Sequence, residues 1–455
     1  MTIRLLAARG DYPSNAIVTL DAGTEAGLIA AKLASSDLTD GVPYVAPVVP
    51  NRRYTAQVEV DSSGAVIGLV GPDGKAIALG SSSGVASGIV SHRPQGGLIN
   101  ALYTGSTYAN MIGCKRAFQG VRIAFHNYST SATMGITAKV APCPTLANNG
   151  TGLTYTPVTF DGAVSVTVPM ATTVNGQVVP ALAWSDLIPI RSVARTDVVD
   201  ADPLLYMRTF SADSIPLGTV DVSRASWIDG QHHIGSVRNA TDQITVTTTA
   251  MAPQSTGLVS TPYAQIDFYT GGKTARIGAF GDSLTNGILS GGGGDYGSWP
   301  VALQKAMRDI GFLNISVANW GTTGQKRDVS SAIFQSVAAK TKPDIAVLWN
   351  YSVNSSTDFG GAEKQFRVLA SDLEFCRVNG IKPVIVAMHP NDLHAAWTRQ
   401  FVEGWGLFLD LAQVLQTSAV NGTIAPENTY DNTHLTLAGN TKFAAYAAPL
   451  IAKLL

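Results

Sequence analysis

The chain has 455 residues, 45% hydrophobic and only 14% charged, which gives material for two or three domains with large cores and is not the composition of a disordered chain. Its 31 Lys and Arg against 32 Asp and Glu leave a formal net charge of −1, with no basic run, so nucleic-acid binding through phosphate neutralisation is not expected. No stretch approaches the roughly 18 apolar residues of a membrane span, and Leu5-Leu6-Ala7-Ala8 between Arg4 and Arg9 is too short for a signal-peptide core.

Residues 1–90 read as a small separate unit. Ala16 to Leu20 is a short strand, and Thr24 to Ala34 has helical spacing through Ala26, Leu28, Ile29 and Leu33. A hairpin follows: Ala65 to Val70, the turn Pro72-Asp73-Gly74, then Ala76 to Leu79. Gly80-Ser81-Ser82-Ser83-Gly84 has linker composition. It matches G-x-S-x-G, but the strand and helix that a nucleophile elbow needs on either side are missing from the pattern.

Residues 91–270 hold many short β-type runs between turn residues, among them Val121–Phe125, Val164–Val168, Gln243–Thr247 and Ala264–Phe268, as in a β-sandwich or jelly roll. Cys114, Cys143 and Cys376 make neither a disulfide framework nor a zinc site. Cys114 and Cys143 can be imagined paired, but three buried thiols is the simpler reading. His232-His233 lack a carboxylate at metal-ligand spacing, and the loop with Asp197, Asp200 and Asp202 reads as solvated rather than as a Ca²⁺ site. No metal or other cofactor is implied.

Residues 271–455 change rhythm to strand, helix, strand, helix. Strands are read at Ile277–Phe280, Ile315–Ala318, Ile345–Trp349 and Val384–Met388, and helices at Pro300–Ile310, Ala362–Asn379 and Leu437–Leu455. Such alternation predicts an α/β domain with a parallel sheet covered on both faces and a site at the strands' carboxyl ends.

Ser283, in Gly281-Asp282-Ser283-Leu284, follows the first of these strands, where a turn can expose its hydroxyl. A free hydroxyl needs an adjacent base to act as a nucleophile. A candidate base, His434, lies in Asp431-Asn432-Thr433-His434, where a carboxylate three residues before an imidazole can reach its Nδ1. Taken singly, His434 reads as a loop histidine, Asp431 as a turn cap and Asn354 as a turn residue. Their occurrence in order, each at a strand end or before the final helix, carries the inference.

On these residues the chain from about Ile277 to Leu455 resembles the SGNH (GDSL) hydrolases, a family with a flavodoxin-like α/β/α fold that acts on esters. The resemblance implies Ser283 as nucleophile, His434 as base and Asp431 as its orienting carboxylate. It implies an oxyanion hole from the N–H groups of Ser283 and Gly324, with Gly321 as alternative in Asn319-Trp320-Gly321-Thr322-Thr323-Gly324. The third donor is Asn354, in Asn350-Tyr351-Ser352-Val353-Asn354-Ser355. There Ser355 stands where the family has Asp, and Asn350 is a rival amide. Tyr296, Trp299, Trp320, Tyr351 and His389 are candidates for lining a substrate pocket, with core packing as the competing explanation. Gly291–Gly294 reads as a loop beside the nucleophile, without the Lys-Ser/Thr of a P-loop.

The first ninety residues, with Ala8-Arg9-Gly10-Asp11-Tyr12-Pro13 and the run from Ile17 to Leu28, are similar to N-terminal segments of bacteriophage structural and tail proteins. Together the two resemblances imply a virion esterase that removes O-acetyl groups from a host surface glycan. Its N-terminus would meet other virion proteins, the whole would form a homotrimer, and neither a signal peptide nor membrane insertion would be needed. Two rivals are a receptor-binding virion protein with a vestigial site and a cellular lipase or esterase of the same family.

Overall fold

Short β-branched runs bounded by turn residues account for the strands of the first 270 residues, and longer amphipathic runs for the helices that follow. The computed structural model describes the strands within residues 2–103 and, beyond them, residues 105–114, 116–198, 202–213, 215–221, 232–239, 241–244, 249–251, 258–272, 274–287, 297–350, 352–355, 362–387, 398–400, 402–415, 424–431 and 433–455. The chain divides into two units, Met1–Val85 and Ala86–Leu455.

In the first unit, Thr2–Leu5 pairs antiparallel with Ala16–Thr19 and with Ala34–Ser35. The hairpin expected after residue 65 is formed by Val66–Val70 with Ala76–Ile77, and Gln57–Val60 pairs on the other side of Val66–Val70. Ala34 belongs to a strand rather than to the end of a helix. The rest of the helical pattern from Thr24, and the glycine-serine stretch at 80–84, lie outside the described residues.

The second unit is mixed α/β. Its first half carries two larger antiparallel sheets beside smaller ones of two and three strands. One runs Thr156–Pro157, Met134–Cys143, Leu204–Ser211, Ser106–Gly113, His232–Asn239; the other runs Ala181–Trp184, Phe118–Asn127, Tyr263–Thr270, Gly88–His92. Ile136, Val140, Leu205 and Met207 of the first meet Ile123, Phe125, Ile266 and Phe268 of the second in one buried core. The strand expected at Gln243–Thr247 is not formed at Gln243 and Ile244. There the Asp242 carboxylate takes the Ile244 N–H at 2.8 Å, a local bond that competes with a ladder. All three cysteines are free and buried.

The second half is a five-stranded parallel sheet of β1 (Ala275–Gly281), β2 (Ile315–Gly321), β3 (Ile345–Trp349), β4 (Lys382–Ala387) and β5 (Leu407–Asp410). The spatial order is β2-β1-β3-β4-β5. Parallel neighbours need long crossovers, and helices supply them. The helices of this half are α1 (Ser283–Asn286), α2 (Trp299–Asp309), α3 (Arg327–Thr341), α4 (Ala362–Asn379), α5 (Leu411–Leu415) and α6 (Leu437–Ala452); the first four lie in crossovers and the last two follow β5.

Alternate residues of each strand point to opposite faces, and both faces are buried. Ile277, Ala279, Val317 and Val347 pack with Leu303 and Met307 of α2 and Phe443 and Ala447 of α6. Phe280, Ala318, Ala346 and Leu348 pack with Ile333 and Phe334 of α3 and Leu369 and Leu373 of α4. That second cluster also takes in Ala124, Val179 and Ala264 from the β-rich half.

Candidate active site

The sheet order reverses between β1 and β3: the chain steps one way to β2 and the other way to β3, opening a crevice at the carboxyl ends. Ser283 sits there, as the first residue of α1 directly after β1. Asp282 is the cap of α1: its Oδ1 accepts the Leu284 N–H at 3.1 Å. Ser283 therefore presents its own N–H in the first turn, where no intrahelical acceptor exists.

The loop before α6 brings the second group. An isolated bridge pairs Thr429 with Leu435, and the His434 carbonyl accepts the Tyr430 N–H at 3.0 Å, which closes a tight loop. Inside it Asp431 Oδ1 accepts the N–H groups of Thr433 at 3.0 Å and His434 at 2.7 Å. Its other oxygen, Oδ2, lies 2.6 Å from His434 Nδ1. The opposite ring nitrogen, Nε2, is 3.0 Å from Ser283 Oγ.

Groups 151 positions apart in the chain are thus joined in a Ser283–His434–Asp431 hydrogen-bond line. With Nδ1–H donated to the carboxylate, Nε2 is left to accept the serine proton, the tautomer assignment this network dictates. Burial pushes the Asp431 carboxyl up, but hydrogen bonds from the His434 ring and the two backbone N–H groups outweigh it and hold the carboxyl below its usual range.

Gly324 has φ +75°, a conformation that favours glycine, and among the described residues its N–H has no hydrogen-bond partner. Gly321 differs: its N–H is taken by Asn319 Oδ1 at 2.9 Å, and a Cβ there would lie 2.2 Å from the Asn286 nitrogen. Gly321 is the glycine of close packing, and Gly324 the one with a donor to spare.

Of the two amides, Asn350 bonds Thr398 at 2.6 Å through Nδ2. Asn354 Nδ2 faces Asp282 Oδ2 at 3.4 Å, the Gln325 carbonyl at 3.2 Å and Ser352 Oγ at 3.2 Å. Three long contacts on two N–H groups are weak bonds, so this amide is open to a better acceptor. The Ser355 N–H donates to the Ser352 carbonyl at 2.9 Å, while its side chain turns to the start of α3. It is buried, and its Oγ accepts the Arg327 N–H at 2.9 Å, capping α3.

Beneath Ser283, Ser352 Oγ lies 2.6 Å from Asp282 Oδ2 and 2.9 Å from the Gln325 carbonyl. One hydroxyl carries one hydrogen, and neither a carbonyl nor an ionised carboxylate can donate. Ser352 therefore divides one hydrogen between the Asp282 carboxyl and the Gln325 carbonyl, and its bond to Asp282 favours the ionised form. Burial pushes the Asp282 carboxyl up to about 6, against the opposing bonds from Ser352 and the Leu284 N–H and the charge of His434.

No family model matches this chain, and no curated protein matches it. Among solved structures it is similar over its C-terminal part to a candidate lipolytic protein of the G-D-S-L family from Desulfitobacterium hafniense DCB-2, at 19% identity and a TM-score of 0.34, covering 40% of this chain and 100% of that one. It is also similar to a carbohydrate acetylesterase family member from Sinorhizobium meliloti (18%, TM-score 0.32, 40% and 99%). A third is a family 3 carbohydrate esterase from Clostridium thermocellum (18%, TM-score 0.33, 40% and 98%).

The aromatic candidates fare unevenly. Trp299 is fully buried between Trp349 and Phe443, with ring centroids at 6.1 and 5.6 Å. Trp320 is buried too, and its Nε1 donates to Gln265 at 3.0 Å. Core packing claims both, which corrects the expectation that they line a pocket. Tyr296, Tyr351, His389 and Gly291–Gly294 lie outside the described residues.

Tyr430, exposed on the base loop itself, was not singled out from sequence. Nor was Ser352. Among the described residues no group of His, Cys, Asp and Glu could hold a metal ion, and Asp197 is committed to Arg195 at 2.8 Å. No described helix is long and apolar enough to cross a membrane.

Proposed function

We propose that the second unit is a serine ester hydrolase of the SGNH kind. The observation that carries this is the hydrogen-bond line from Ser283 Oγ through His434 to Asp431 at the switch point of the parallel sheet. His434 Nε2 takes the proton as Ser283 Oγ adds to the ester carbonyl carbon. The negative charge that collects on the carbonyl oxygen is met by the N–H groups of Ser283 and Gly324 and the Asn354 amide. The ring then returns its proton to the leaving alcohol, and water repeats the sequence on the acyl-serine.

The substrate we propose is an O-acetyl ester on a host surface polysaccharide. Exposed Tyr430, next to Asp431, offers a ring face on which a sugar can stack. The two antiparallel sheets, taken as a sandwich, would frame the polymer. Met1–Val85 would attach the protein within a phage tail, as one chain of a trimer; its being a separate unit supports an attachment role.

A p-nitrophenyl ester series tests the reaction. Acetate is hydrolysed in preference to long acyl chains, and Ser283→Ala lowers turnover by about 10⁴-fold or more. Wild-type protein that hydrolyses no ester, or a Ser283→Ala variant as active as wild type, removes the proposal and leaves a glycan-binding protein with a vestigial site.

A further inference from the structure

Gly324 is the one proposed oxyanion donor on a residue without a side chain, and its backbone is free to turn. A Cβ built there meets nothing within 4 Å, so packing against its α-carbon does not hold it. What does hold it comes from the other half of the unit. Gln177 Nε2 donates to the Gly324 carbonyl at 2.7 Å, and Gln177 Oε1 accepts the Lys326 N–H at 2.7 Å. One side-chain amide thus brackets the backbone from 324 to 326.

The amide is delivered by a stiff device. Thr172–Val174 and Gln177–Val179 form a hairpin closed by Asn175-Gly176, with φ of +46° and +74°. Two positive φ values mark the tight turn whose twist matches paired strands. Val179 anchors the hairpin by packing in the cluster of Val329 and Ile333 from α3. Asn175 also donates to Asp328, and Lys326 Nζ to the Asn175 carbonyl at 3.4 Å. Lys326, at the cap position of α3, makes no side-chain cap bond of its own.

We propose that Gln177 is a positioning residue for the Gly324 N–H: by holding the Gly324 carbonyl it fixes the orientation of the oxyanion loop, so the β-rich half completes the site. This rests on the ester hydrolase reading. The competing role is a helix cap alone, which needs only the Oε1 acceptor for Lys326. Gln177→Glu separates the two, because a carboxylate keeps that acceptor and loses the donor to Gly324.

In the full chain, Gln177→Leu and Gln177→Glu each lower kcat about tenfold, less than the 10²–10³ of deleting an oxyanion donor outright, with KM within about twofold. Backbone amide exchange at Gln325, whose N–H is bonded to the Thr322 carbonyl, is faster than wild type in both variants. A Gln177→Glu variant with wild-type kcat, or unchanged exchange in both, overturns the proposal. Wild-type protein without any turnover would instead sink the hydrolase reading, and exchange alone would then judge the clamp.

Discussion

Asp282 holds two duties that pull on its charge. As the cap of α1 it accepts the Leu284 N–H, while burial at 1% exposure makes its ionised form costly. Its folded pKa of about 6 lies above the ordinary 3.8, so between those values the native state keeps a proton that the unfolded chain has released. The stability tied to this group is complete below pH 3.8 and declines as pH rises through 6, by about 3 kcal/mol in all. Asn in its place can accept from Leu284 and donate to Ser352 at every pH. The advantage of Asp282→Asn in thermal melting should therefore grow between pH 4 and pH 7. A difference from wild type that does not change with pH would mean that the carboxyl is not held neutral.

At the scale of elements, the nucleophile is placed by the contact of α1 with the end of β2. A Cβ on Gly321 would lie 2.2 Å from the Asn286 nitrogen and 2.6 Å from the Thr285 carbonyl carbon, both backbone atoms that cannot move aside alone. Gly321→Ala must push α1 outward and carry Ser283 away from His434. The expected cost is about 1–3 kcal/mol of stability and about 10²-fold in kcat, the price of a displacement near 1 Å. Urea melts and turnover on p-nitrophenyl acetate measure the two, and a variant with wild-type kcat would show that α1 is not set by this contact. Helix α3 follows a different logic, since its first N–H groups are met by Gln177 and Ser355, one from a distant hairpin and one from the loop after β3.

At the scale of the molecule, the parallel sheet does not close its own core. Ala124, Val179 and Ala264 complete the cluster around Phe280 and Ile333, and Gln265 satisfies the buried Trp320 Nε1. Met1–Val85, in contrast, is a unit to itself. A fragment of residues 86–455 should keep kcat/KM within about twofold of the full chain. One beginning at residue 274 bares apolar surface, loses Gln177 and should fall by more than about tenfold or aggregate. Size-exclusion chromatography and ester hydrolysis of the two fragments decide this; a fully active short fragment would make the β-rich half dispensable.

Strand and helix periodicity by itself determined the alternation after residue 275, including the bounds of β3 and α4, because residues buried on a helix stripe or a two-sided strand leave a repeating apolar trace. Local motifs and the family resemblance, not periodicity, pointed to Ser283, Asp431 and His434, since Asp431 and His434 are local to one loop and Ser283 follows a strand end. Helix α3 was missed as an element: a helix start is read from a capping residue, and Lys326 is none, its caps being supplied from elsewhere in the chain. Tertiary structure alone decided that Trp299 and Trp320 are core, that among the described residues Gly324 rather than Gly321 has a free N–H, and that Asn350 turns to Thr398. Each of those depends on which neighbour fills the space beside a residue, and such contacts leave no periodic mark on the chain.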